Sequence, residues 1–477
     1  MGDPGTIPVE MARAIIENIP SSSRVSALLA LSSTNSSCRN YYQPMLFKHI
    51  IARSPEQIYI LAYAVTTNPS LVQYVKSAEM IVDEPFQPGS RGAELPPLHP
   101  KIFQAAKALK FWSEDWQRSL NERSVHSGCG LLLALLPGLD TLSITTRKII
   151  TCPSVSSYGN PLSDFGSKWI LTRVHISTQD LFGPVAETYP DALPKLSNLK
   201  KWNSNGLMPV FAFKLSNVQS IEFSIREREL DGKFPFNDLI PSDAPAFKTI
   251  ESVVIRADTL LCMSASPNRK CVQQYVRNLL QKLTKVKTLS VILWPRNFKY
   301  LPHLPYLDIG EFFGMLGGPA ASLKVTIDWE GLDYYLFWTI GTNKLPQLCL
   351  TQYLELPQKL LFLKGHLTIL DSPNGPSVFK VESLRITRVW IGTETQTLLS
   401  TILEYRNSMY HCLKKLHLTY NNKYRQLLEG HLPTLRRPLS DFAERERDAK
   451  IRRIHQHLCE LIEGSGIQLV QDCEDSG

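Results

Sequence analysis

The chain has 477 residues, with 52 lysines and arginines against 44 aspartates and glutamates and a formal net charge of +8. That length holds two or three globular cores or one extended array of repeats, and a charge spread so thinly leaves no nucleic-acid footprint. No apolar run approaches the roughly 18 residues of a membrane-crossing helix. The nine cysteines include no C-x-x-C pair, and the first residues show no charged-then-apolar leader, so a soluble protein of the cytoplasm or nucleus, with reduced thiols and no structural zinc, is expected.

The first element is the run IPVEMARAIIENIP, from Ile7 to Pro20. Pro8 suits a first helical position, Glu10 the positive end of the helix dipole, and Pro20 stops the helix. Met11, Ala12, Ile15, Ile16 and Ile19 fall within roughly 140° on a 3.6-residue wheel, so one face asks for a partner. The serines after Pro20 predict a turn that supplies helix caps, and Val25, Leu28 and Leu29 begin a second apolar stripe that Leu31 extends. A third helical piece is expected from about Cys38 to Phe47, interrupted at Pro44. Three such helices bury too little surface to be secure without a metal, a disulfide or a partner.

The order Ile7-Pro8-x-Glu10, then Ile15, Ile16 and Ile19-Pro20, then Leu28 and Leu31, then Pro44 to Ile50 is similar to an F-box, in the form found in large fungal families of F-box proteins. The run NPSLVQYVKSAEM, Asn68 to Met80, resembles the segment that often follows it there. This resemblance implies docking onto the small Skp-type adaptor, and through it a cullin, of a ubiquitin ligase. The adaptor-binding residues it implies are Ile7, Pro8, Glu10, Ile15, Ile16, Ile19, Pro20, Leu28 and Leu31. The chain departs from the family at Ser33, Asn35 and Ser36, which stand where an apolar residue and then basic ones are usual. The alternative reading of the same helices is a plain cap on the domain that follows.

From Leu136 onward a four-point pattern recurs: apolar, two residues, apolar, two residues, apolar, one residue, apolar. It is found in LPGLDTLSI from Leu136, LSNVQSIEF from Leu215, FKTIESVVI from Phe247, LTKVKTLSV from Leu283, VFKVESLRI from Val378 and YHCLKKLHL from Tyr410. Partial copies are KWILTRVHI, the sequence near Leu323, LLFLKGHLTI and LIEGSGIQLV. Spacings of three belong to a helix end and the turn leaving it, and the closing apolar-x-apolar to a short strand with alternate residues facing in. A single helix-turn-strand unit cannot cover its apolar side, so neighbours stack. The array resembles an irregular leucine-rich repeat. Regular members place asparagine three residues after the last apolar point, whereas here Arg147, Arg226, Asp258, Trp294, Val389 and Asn421 occupy that position, which predicts uneven coils.

The expected fold class is therefore α/β: an F-box-like three-helix segment over residues 1–52, connecting helices and a Pro/Gly-rich linker over 53–100, and a leucine-rich-repeat-like array with a parallel sheet over 101–477. Asp83–Pro100 and Thr151–Gly166 read as loops. Near the end, Arg436 to Gly466 predicts a helix with Phe442, Ile451, Ile454, Leu458 and Leu461 inward and a solvated Glu/Arg face.

No phosphate-binding loop, nucleophile elbow or H-E-x-x-H is present; Gly314–Ala321 is glycine-rich without the lysine or spacing such loops need. His455 and His457 diverge by about 200° on a helix and do not share a metal. Cys129, close after His126, reads as a loop cysteine. Trp329, Tyr334, Tyr335 and Trp338 read as core or as the lining of a recognition groove. The expectation is a non-catalytic protein without cofactor or metal, binding neither membrane nor nucleic acid, whose array holds a target protein that the residues do not name. The other expectation is a repeat scaffold with no link to a ligase.

Overall fold

Apolar spacing switches along the chain between three-to-four and two, and short helices alternate with short strands accordingly. The computed structural model describes residues 16, 18–19, 21–34, 36–84, 98–151, 169–172, 181–185, 193–194, 196–204, 206–208, 210–225, 240–258, 269–294, 307–308, 324–329, 340–341, 351–358, 362–363, 366–367, 380–389, 393–405, 407, 410–420, 453, 456–457, 459–460 and 462–473. The chain divides into two compact units, Met1–Ile221 with Pro241–Thr249, and Glu222–Ile240 with Ile250–Gly477.

The first unit contains α1 (Ser21–Thr34), α2 (Ser36–Lys48), β1 (His49–Ala52), α3 (Pro55–Thr67), a 3-10 turn (Pro69–Tyr74) and β2 (Ser77–Glu84). It continues with α4 (Pro100–Lys107), α5 (Glu114–Asn121), α6 (Val125–Leu135), β3 (Thr141–Thr151), β4 (Trp169–Thr172), β5 (Lys201–Ser204), α7 (Val210–Phe213) and the start of β6 (Ser220–Ile225). Strands β1, β2, β3 and β5 pair in parallel in that order, with His49, Ser77, Thr141 and Lys201 in register. Parallel neighbours need crossovers, which are helical from β1 to β2 and from β2 to β3, while the connection from β3 to β5 includes β4. Helix α3 is well specified locally: Ser54 caps it by accepting from the Gln57 amide, Pro55 and Glu56 fill the first turn, and the Gln57 side chain accepts from the Arg53 amide at 2.7 Å. Its Ile58, Tyr59, Ala62 and Val65 are buried. The Tyr59 hydroxyl donates to the Ser124 carbonyl at 2.9 Å, beneath the Arg123 guanidinium 4.8 Å from the ring centre.

The second unit takes in the rest of β6, then β7 (Ser252–Asp258), α8 (Arg269–Lys282), β8 (Thr288–Trp294), β9 (Leu307–Asp308), β10 (Lys324–Trp329), β11 (Ile340–Gly341) and β12 (Tyr353–Pro357). After these come β13 (Phe362–Leu363), β14 (His366–Leu367), β15 (Ser383–Val389), α9 (Thr393–Glu404), β16 (Lys415–Tyr420) and β17 (Gln468–Cys473). Strands β7, β8, β10, β12, β15, β16 and β17 follow one another in parallel. Ser252, Thr288, Lys324, Tyr353, Ser383 and Lys415 share one register row, in steps of 36, 36, 29, 30 and 32 residues. Helices α8 and α9 turn Tyr275, Val276, Leu279 and Leu280, and Leu398, Leu399 and Ile402, inward, the i, i+3, i+4 pattern of a one-sided helix.

The four-point pattern is the core. Leu136, Leu139, Leu142 and Ile144 are buried, as are Leu215, Val218, Ile221 and Phe223, Phe247, Ile250, Val253 and Ile255, and Tyr410, Leu413, Leu416 and Leu418. Val286 is the one described point of the six full copies that is half-buried instead. The structure adds coils that the pattern did not flag because a point is small or polar: Val75, Ala78 and Met80; Leu196, Leu199, Trp202 and Ser204; Thr351, Leu354 and Leu356. In place of an asparagine ladder, a backbone device recurs. At several strands the carbonyl just before the strand accepts the amides of two consecutive residues from the next coil: Lys76 from Asp140 and Thr141, Asp140 from Lys200 and Lys201, Glu251 from Lys287 and Thr288, Gln352 from Glu382 and Ser383, Glu382 from Lys414 and Lys415. Because it uses main chain alone, the side chain at this position is free to vary.

Several expectations are corrected. The parallel ladder begins at His49, so 53–100 is not a separate connector: Pro55–Thr67 and Ser77–Glu84 are a crossover helix and a strand of the ladder. Asp83 and Glu84 close that strand and Pro100 opens α4, so the loop read between them is shorter than expected. Ser21, Ser22 and Ser23 form the first turn of α1 instead of a turn before it. Helix α2 runs through Pro44; the loss of about 3 kcal/mol that an interior proline brings is offset by packing of Tyr41, Tyr42, Met45 and Leu46 on either side of it. KWILTRVHI supplies β4, antiparallel to β3, and LLFLKGHLTI supplies the antiparallel β13–β14 pair, so these strands are not parallel members of the ladder. The sequence near Leu323 and LIEGSGIQLV do supply parallel strands, β10 and β17. Residues 152–166, 314–321 and most of 436–466 lie outside the described residues.

Candidate functional site

The helices ahead of the ladder close on a small core. Ile16, Leu28 and Tyr42 are buried together, with Leu31, Cys38, Tyr41, Met45 and Leu46 packed around them. The Tyr41 and Tyr42 rings meet edge to face at 4.9 Å. The Arg24 guanidinium donates to the Ile19 carbonyl at 3.2 Å, tying α1 to the segment before it. At the other end of α1 the hydroxyls of Ser32 and Ser33 both donate to the Leu29 carbonyl, and that of Thr34 to the Ala30 carbonyl. The Ser33 hydroxyl therefore bonds back to a carbonyl one turn earlier in its own helix, a local contact common for serine and threonine.

Of the nine residues expected to meet an adaptor, the structure brings Ile16, Leu28 and Leu31 into this one cluster. Ile19 is half-buried. Ile7, Pro8, Glu10, Ile15 and Pro20 lie outside the described residues. Ile16 and Leu28, at 6% and 4% exposure, are covered by the chain's own helices, whereas Leu29 is 49% exposed. Leu29 thus leaves the stripe to which the spacing assigned it: consecutive positions on a helix diverge by about 100°, so Leu28 and Leu29 cannot both face one small core.

A second surface lies on the ladder of the second unit, on the face opposite its core. Val325, Leu354, Leu384 and Leu416 are buried, so by strand alternation their neighbours point the other way. These form two rows: Lys324, Tyr353, Ser383 and Lys415, then Thr326, Glu355, Arg385 and His417. The Tyr353 hydroxyl donates to Glu355 Oε2 at 2.7 Å, the Lys324 ammonium lies 4.2 Å from the centre of the Tyr353 ring, and Arg385 Nε donates to Thr419 Oγ1 at 3.0 Å. Desolvation, reinforced by the Glu355 carboxylate, pushes the Tyr353 hydroxyl up to about 12, against the opposing pull of Arg385. Nearer β6, Arg256 Nε meets Glu222 Oε1 at 2.6 Å. Sequence reasoning missed this face; its signal was the polar residue between the last two apolar points of five of the six copies, Val254 being the exception. Of the aromatic group expected to line a groove, Trp329 ends β10, and Tyr334, Tyr335 and Trp338 lie outside the described residues.

Cys129 sits inside helix α6 and not in a loop. Burial pushes its thiol up to about 12, so it stays protonated and is no nucleophile at neutral pH. His457 lies 3.9 Å from Glu460 on an exposed surface, and His455 is outside the described residues. Among the described residues no three His, Cys, Asp or Glu side chains converge as a metal site, and no helix is long and apolar enough to cross a membrane. No protein-family model matches the chain, and no curated protein matches it.

Proposed function

We propose that the chain is the substrate-recognition subunit of a cullin-type ubiquitin ligase, resembling F-box proteins whose C-terminal part is an irregular leucine-rich-repeat solenoid. On this reading helices up to α2 dock a Skp-type adaptor, which carries the cullin, and the ladder holds a target protein. The chain makes and breaks no bond; it acts by proximity, raising the local concentration of target lysines near a ubiquitin-loaded enzyme. Its place of work is the cytoplasm or nucleus.

The observation that carries the reading is the small helical core at the head of a parallel ladder: three buried side chains, with Leu29 exposed and Ile19, Leu31, Met45, Leu46 and Phe47 half-covered. An apolar fringe of this kind is what a partner helix covers. One observation favours the second reading, a scaffold without a ligase: Ile16 and Leu28 are already enclosed by the chain itself.

Co-purification with a Skp-type adaptor separates the two. The informative variant is Ile19→Glu with Leu29→Glu, which alters side chains outside the three-residue core. Adaptor retention by the wild type and its loss in the variant, with an unchanged circular-dichroism spectrum, supports the receptor; no retention by the wild type leaves the scaffold.

A further inference from the structure

We propose that the sheet face of the second unit opposite its core, around Tyr353 and Arg385, docks an acidic, extended segment of the target protein. The inference deepens the receptor reading, on which it rests for calling the occupant a target; the chemistry of the face stands independently of the adaptor.

The geometry comes from register. Lys324 and Lys415 stand in one row, three strand steps apart, with Tyr353 and Ser383 between them. At about 4.8 Å per step the two ammonium groups rise from positions about 14 Å apart, the reach of about four residues of extended chain laid across the strands. Arg385 and His417 stand in the next row, beside that path.

Charge selects the occupant. Among the described members of the two rows, Lys324, Lys415 and Arg385 are cationic and Glu355 alone is anionic. That carboxylate accepts the Tyr353 hydroxyl, so part of its hydrogen-bonding capacity is already used. The turn row beside them is different: Lys287 and Lys414 are each tied to a glutamate of the preceding coil, at 3.0 and 2.9 Å. These two rows therefore carry three cations against one anion, whereas the coil-edge lysines are paired with glutamates. The cationic groups of the two rows are also oriented before any partner arrives, Lys324 by the Tyr353 ring and Arg385 by Thr419, which is buried; ordering them on binding then costs little. Single-stranded nucleic acid fits less well, because it stacks its bases on bare aromatic faces and the ring here lies beneath an ammonium group.

The test measures fluorescence anisotropy of a fluorescein-labelled hexaglutamate peptide titrated with the purified full chain at low salt. Lys324→Glu with Lys415→Glu is compared with Lys101→Glu with Lys110→Glu, an equal charge change at exposed positions of the first unit. The expected result is saturable binding, weakened about tenfold or more by the first pair and less than about twofold by the second. Equal weakening by both pairs overturns the proposal in favour of general attraction by net charge. Absence of saturable binding by the wild type also overturns it, and so does tighter binding of oligothymidylate than of the peptide. Should the charge reversals unfold the chain, Lys324→Gln with Lys415→Gln gives the same contrast at reduced amplitude. Peptide binding that persists in a chain unable to retain a Skp-type adaptor removes the receptor reading and leaves the docking face; adaptor retention with no peptide binding does the reverse.

Discussion

The helices before residue 49 and the ladder that begins there bury side chains at very different densities. Among the described residues, the helices close on Ile16, Leu28 and Tyr42, whereas the single coil from Leu136 to Ile144 buries four apolar side chains to 1% exposure or less. Several coils also hand a neighbour two amides. Among the described residues the ladder thus buries more apolar side chains per element than the helical head does.

The largest effect expected from breaking this contrast is in the ladder. A methyl group on Gly130 would lie 1.8 Å from the Leu181 carbonyl oxygen, so Gly130→Ala should cost about 3 kcal/mol or more. Gly128→Ala, where the nearest atom is a Tyr59 side-chain carbon at 3.1 Å, should cost far less. Thermal unfolding of the two variants checks the packing of α6; equal tolerance would refute it. Next comes Leu416→Ala, fully buried in the second unit, expected to lose about 2–5 kcal/mol and to lower the denaturant midpoint.

Leu28→Ala sharpens the comparison from the other side. A loss of about 2 kcal/mol is expected, confined to the head: hydrogen exchange should speed up over residues 21–48 and stay unchanged in the strands. If the strands respond as well, head and ladder unfold as one. Alkali offers a gentler probe. Cys129 and Tyr353 keep their protons in the fold to about 12, from ordinary values of 9.0 and 10.0. The folded state therefore holds more protons than the unfolded one in that window, and the stabilisation, complete below the unfolded values, is lost as pH rises towards about 12. Melting temperature should hold steady to about pH 8 and then fall, less steeply in Cys129→Ala. The smallest effect expected is that of Glu382→Gln, which removes an exposed contact to Lys414 and should cost less than about 1 kcal/mol in chemical denaturation.

Much of the ladder was legible because burial in a strand or helix follows from spacing alone. The points at Leu139, Val218, Ile250 and Leu413 mark coils without any knowledge of neighbours. Coils with Thr351 or Ser204 at a point escaped, since a hydroxyl carries no apolar signal although both are buried. The proposed docking face was invisible for a related reason: Tyr353, Arg385 and Thr419 are far apart in the chain and meet only because their coils stack in register.

Alternation of side chains is a property of the local backbone, and it decided from the residues alone that Leu142, Val253 or Leu384 turns inward. Which strand lies beside which is a matter of hydrogen bonds between distant segments. KWILTRVHI and KKLHLTY look alike as apolar-x-apolar runs, yet the first pairs antiparallel with β3 and the second takes its place in the parallel series. Direction and partner depend on where the preceding turn delivers the chain, and on whether its carbonyl meets two amides of the next coil. Folding in three dimensions settles that, because no local spacing encodes it.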